Sequence, residues 1–142
     1  MDQRIFSAYV KSIFLYNSEI WTLTKKLEED IDVFQRSLLR KLLDIRWPRK
    51  ISNEDLYGKL QVTEWSKKIK KRRLLWIGHL FRLPEDAPAK QALEESLRPV
   101  RRPRGKPKTT WIASVGKELK EMNLNFTIVK RAQFGTYWYE MV

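Results

Sequence analysis

Apolar residues recur along this chain at steps of three and four, the spacing of one helix face, and no stretch sustains the alternation of a half-buried strand. Residues 4–16 (RIFSAYVKSIFLY) set Ile5, Tyr9, Ile13 and Tyr16 on one line, with Phe6, Val10 and Phe14 beside it. A stripe this broad predicts a helix that is buried on both sides. After Thr24, a favourable N-cap, Leu27, Ile31, Phe34, Leu38, Leu42 and Ile45 recur in the same way, and Glu28, Glu29 and Asp30 suit the positive end of the helix dipole. The residue before a proline is pushed out of helical space, so this helix is expected to end at Trp47-Pro48. Residues 52–55 (SNED) resemble a capping box that opens a short helix through Leu56 and Leu60.

From Thr63 a second long helix is predicted, with Trp65, Ile69, Trp76 and Leu80 on one face and Ile77 and Phe81 adjoining. Leu83-Pro84 stops it, residues 84–88 read as a loop, and residues 89–97 as a short helix. Residues 98–108 (RPVRRPRGKPK) hold three prolines, a glycine and Val100 as the one apolar anchor, which predicts an extended connector. Thr109 or Thr110 then caps a helix that turns Trp111, Val115, Leu119 and Met122 inward. The pattern weakens after Asn123, and residues 136–142 begin a further turn. The elements predict an all-α fold: a small multi-helix bundle with a Pro/Arg-rich extended linker, divided into a helical region 1–97, the linker 98–108 and a C-terminal helical segment 109–142.

Charge changes this picture from a generic bundle to one with a preferred kind of partner. The 142 residues carry 29 Lys and Arg against 17 Asp and Glu, a net +12 that attracts polyanions. Residues 1–66 are nearly balanced, with 11 cations and 10 acids, whereas residues 67–142 hold 18 cations and seven acids. The hydrophobic share of 42% and six tryptophans argue for a folded body. Zero cysteines exclude disulfides, thiolate catalysis and cysteine-ligated zinc, and a single histidine, His79, excludes polyhistidine metal sites. With no run of eighteen apolar residues and an acid at Asp2 ahead of any apolar stretch, neither a membrane span nor a signal peptide is expected. The expectation is a nuclear or cytoplasmic protein, neither secreted nor membrane-bound.

Two basic stretches are candidates for phosphate contact. Residues 67–73 (KKIKKRR) place Lys67, Lys68, Lys70, Lys71, Arg72 and Arg73 on the second long helix, where they cannot all point one way but most form a broad solvent-facing stripe. Such a run also reads as a solubilising face, a nuclear import signal or a site for an acidic protein. In the linker, Arg101, Arg102, Arg104, Lys106 and Lys108 lie on a proline-stiffened strand that can track a phosphate backbone at low entropic cost. Gly105 and Lys106 do not make a phosphate loop, because Pro107 stands where that loop needs Ser or Thr. Trp65, Trp76 and Trp111 can stack on bases, but their register with Leu and Ile favours packing in the core. His79 is expected as a core or cap residue rather than a catalytic base. The densest acids, Glu28 to Asp30 and Glu94 with Glu95, splay apart on helices, so no catalytic residues, metal site or cofactor are expected.

Seven blocks in one order carry a family likeness: residues 16–22 (YNSEIWT), 34–43 (FQRSLLRKLL), 45–48 (IRWP), 52–56 (SNEDL), 72–82 (RRLLWIGHLFR), 101–107 (RRPRGKP) and 110–111 (TW). Together they resemble the region after the polymerase palm in non-LTR (LINE-type) retrotransposon endonuclease-reverse transcriptases, over nearly the whole chain. The resemblance implies a thumb and C-terminal module that contacts template RNA and target DNA during target-primed reverse transcription. The Tyr/Phe-x-Asp-Asp polymerase signature does not occur here. Asn17 stands where the family usually has glycine, Ser37 where cysteine is frequent, and Phe134-Gly135 where Asp-Arg commonly precedes the final tryptophan, here Trp138. The chain is accordingly expected to be a non-enzymatic fragment of an element copy, starting at an internal methionine. Its expected partners are RNA or DNA through backbone contacts and the rest of the reverse transcriptase, with no membrane partner and oligomeric state open. Two alternatives stand beside this reading. One is a protein-interaction scaffold, whose basic face recruits an acidic partner and whose apolar N-terminal helix docks on the polymerase core; the other is a remnant enzyme.

Overall fold

A computed structural model of the chain describes residues 3–99, 104–105 and 109–131, and among these every regular element is helical. The fold is all-α, as the apolar spacing predicts. The described residues form two compact units. Residues up to Ser18 with Leu23–Lys70 make the first; Glu19–Thr22 and the described residues from Lys71 onward make the second.

In the first unit the N-terminal helical run comprises α1 (Gln3–Ile5), a π-helical stretch (Phe6–Val10) and α2 (Lys11–Phe14). Helices α3 (Lys25–Leu42) and α4 (Asn53–Leu60) follow, with α5 (Trp65–Arg82) entering after a short turn. The caps are where the sequence places them: Thr24 Oγ1 accepts from the Leu27 amide at 3.3 Å, and Ser52 Oγ from the Asp55 amide at 3.0 Å. Helix α3 stops well short of Trp47-Pro48. Asp44 adopts a left-handed φ of 50°, and the Asp44 and Ile45 amides turn back to the Lys41 and Arg40 carbonyls at 3.2 and 2.9 Å. This Schellman-type closure ends the helix before the proline can act.

Trp65 is 1% exposed and centres an aromatic cluster, stacked on Phe14 at 4.5 Å between ring centroids, with Phe6 and Phe34 each 6.2 Å away. These rings and the buried Leu15 bury one side of the N-terminal run only. The line Ile5, Tyr9, Ile13 and Tyr16 is exposed, which corrects the expectation of burial on both sides. Two side chains of α3 supply the start of α5. Buried Gln35 donates to the Thr63 carbonyl at 3.0 Å and accepts from the Trp65 amide at 2.8 Å, while Asp32 accepts from the Ser66 amide at 3.0 Å and its hydroxyl at 2.6 Å. Amides that a helix start leaves without an intrahelical acceptor are thus satisfied across the sequence.

The second unit packs the rest of α5 with α6 (Pro88–Leu97), α7 (Trp111–Glu121) and α8 (Phe126–Arg131). Its core is Leu74, Ile77, Leu80, Phe81, Leu93, Val115, Leu119 and Val129. Full burial of each such side chain contributes about 1.5–3 kcal/mol. Thr110 Oγ1 caps α7 through the Ala113 amide at 3.3 Å, and Trp111 Nε1 donates to the Glu19 carbonyl at 2.8 Å. Buried Lys90 keeps its charge satisfied by donating to the Leu83 carbonyl at 3.0 Å and to Glu85 at 2.6 Å.

Candidate nucleic-acid interface

Helix α5 presents its cations by register. At about 100° per residue, Lys67, Lys68, Lys71, Arg72 and Arg82 fall within an arc of about 140°, away from the buried line of Ile69, Ile77 and Leu80. Lys67, Lys71 and Arg72 are exposed, and Lys68 is half-buried. Lys70 lies off this arc and is also half-buried. The stripe is therefore real, but it is narrower than the run of basic letters implies.

Arg73 is the correction. Its side chain is fully buried, it pairs with the Glu118 carboxylate on α7, and it donates to the Trp21 carbonyl at 3.1 Å. A guanidinium enclosed in this way holds structure and cannot reach a phosphate. The physical reason is register: Arg73 falls on the same side of α5 as Ile69 and Ile77, so its charge must be met inside the protein.

Lys67 has a nearby carboxylate, Glu64, at 2.5 Å, one turn away. The hydrogen bond to Glu64 and the charge of its carboxylate raise the Lys67 pKa above its ordinary 10.5, so the ammonium is fully charged at neutral pH. An exposed pair of this type is weak and rearranges readily, which leaves Lys67 available to another anion. Arg104 is exposed beside Gly105, whose φ of +135° suits a residue without a side chain. Arg101, Arg102, Lys106 and Lys108 lie outside the described residues.

The tryptophans divide. Trp65 belongs to the core, and Trp76 and Trp111 are half-buried against the second unit's core cluster. His79, expected in the core or at a cap, is exposed and stacks on Trp76 with ring centroids 5.1 Å apart. The signal for this pair was present as an i, i+3 spacing, but periodicity alone placed the imidazole on the wrong side. Among the described residues no group of three or more His, Cys, Asp or Glu is arranged to hold a metal ion, and no helix is long and apolar enough to cross a membrane.

Over 82 residues the chain is 34% identical to a Caenorhabditis elegans protein described as an uncharacterized transposon-derived protein, a match covering 55% of this chain. That similarity supports a transposon origin. The match spans 29% of the length of the nematode protein. No family profile matches the chain, and no solved structure matches it significantly.

Proposed function

We propose that this transposon-related chain is a nucleic-acid-binding module, corresponding to the thumb and C-terminal region of a non-LTR retrotransposon reverse transcriptase, and that it performs no chemistry as it stands. The observation that carries the reading is the face of α5 on which Lys67, Lys71 and Arg72 are exposed, in a chain of net charge +12. Ammonium and guanidinium groups on one helix face release counterions when they meet a phosphate backbone, which gives affinity without sequence preference. The linker cations Arg101, Arg102, Arg104, Lys106 and Lys108 extend the same chemistry, and the module acts on RNA or target DNA in the nucleus or cytoplasm.

Filter binding of labelled RNA and duplex DNA at two salt concentrations tests this reading. Binding that weakens steeply with salt supports it; no binding of either at low salt removes it. A second reading, a protein-interaction scaffold, draws on the exposed line Ile5, Tyr9, Ile13 and Tyr16. It is favoured if the purified chain ignores both nucleic acids.

A further inference from the structure

The cation face of α5 carries a feature that phosphate contact does not use. Trp76 and His79 lie one turn apart with their rings stacked, 5.1 Å between centroids and 30° between planes. Together with Glu19, Arg72 and Leu75 they line an open cleft of 450 Å³ in the second unit. Trp76 is held in place, since it packs on the core and also lines an apolar pocket with Leu80, Leu93 and Trp111. His79 is exposed at the mouth of the cleft. A fixed indole with an open imidazole beside it and a guanidinium at the edge is the equipment of a stacking platform, because every nucleobase has a π-face to lay on such rings.

We propose that this cleft takes an unpaired base of a single-stranded nucleic acid, stacked on His79 and Trp76, while Lys71 and Arg72 lie along the adjoining backbone. The inference rests on the nucleic-acid reading above and deepens it to a strand class. Glu19 argues for a base over a phosphate in the cleft: its carboxylate would repel an anion there, yet it accepts a hydrogen bond from an exocyclic amine. A duplex keeps its bases stacked inside and cannot offer one to a shallow cleft, so the platform discriminates single strands without reading sequence.

The test compares fluorescence anisotropy of the full chain with three probes of equal length: a labelled single strand, the same strand with abasic residues throughout, and a duplex. The wild-type chain is expected to bind the intact strand about ten-fold more tightly than the abasic strand, the scale of one base stacked on an aromatic ring. His79→Ala should bring the intact strand down to the abasic level and leave duplex binding unchanged, and His79→Phe should restore the preference by restoring a ring. Because His79 is exposed, these variants leave the core intact. Equal binding of intact and abasic strands by the wild type, or a His79→Ala chain that keeps the preference, overturns the inference while duplex binding still supports the nucleic-acid reading. A chain that binds none of the three probes overturns both.

Discussion

Arg73 and Lys71 stand two positions apart in one basic run, and the structure gives their charges opposite duties. The Arg73 side chain is 0% exposed and that of its partner Glu118 is 7% exposed, so their attraction acts where water screens little. Truncating Glu118 to Ala leaves a buried guanidinium with the Trp21 carbonyl still accepting from it. Loss of one partner of such a pair costs about 3–5 kcal/mol, and the surviving acceptor places this case near about 3 kcal/mol. Removing both charges with an apolar pair, Arg73→Met with Glu118→Leu, abolishes the desolvation cost together with the attraction and should fall near wild type. In urea unfolding, the summed losses of Arg73→Met alone and Glu118→Leu alone should exceed that of the double variant by at least about 2 kcal/mol. The double variant then serves a second purpose, since it removes one cation of the run without unfolding the chain. Its dependence of log affinity on log salt should match that of the wild type. A slope shallower by about one unit would mean that Arg73 contacts phosphate, and a Glu118→Ala chain as stable as wild type would refute the buried-pair reasoning altogether.

Three other outcomes follow from the same structure. Gln35→Ala strips partners from the Trp65 amide and the Thr63 carbonyl and should cost about 1–3 kcal/mol in denaturant unfolding, with no change in nucleic-acid affinity. Gln61 holds a left-handed φ of 49° at the end of α4, so Gln61→Gly should stabilise the chain by about 0.5–1 kcal/mol; a loss of stability would show that the side chain contributes more than its backbone strain. The hydrogen bond from Lys90 holds the Glu85 carboxyl below its ordinary 4.5, so its contribution is present above about pH 4.5 and is lost as pH falls through the lower folded-state value. Stability measured down that acid limb should decline less steeply in Glu85→Gln than in wild type.

Helix starts were legible in the sequence because capping is local chemistry. Thr24, Ser52 and Thr110 each accept the amide three residues on, as their position before an apolar run predicts. Helix ends were less legible. Asp44, Gln61 and Asn123 take left-handed conformations at the ends of α3, α4 and α7 that glycine would have advertised, so α3 read too long. The start of α5 depends on Gln35 and Asp32, about thirty residues upstream, and no local pattern reveals that. The site divides in the same way. The basic run at residues 67–73 marks the face, yet register turns Arg73 inward beside Ile69 and Ile77 while Lys71 stays outside, and the carboxylate that meets the buried charge, Glu118, comes from another helix. His79 shows the complementary error, because a helix flank adjoining the apolar stripe can still face outward when a neighbouring tryptophan covers the core.

The most direct measurement is the salt dependence of duplex affinity for the wild-type chain and for one in which Lys67, Lys71 and Arg72 are all changed to Gln. If about four to six cations engage phosphates, the wild-type log–log slope is about −4 to −5, and the substituted chain loses up to about three units of it while remaining folded. Equal slopes for the two chains would contradict the assignment of this face to nucleic acid.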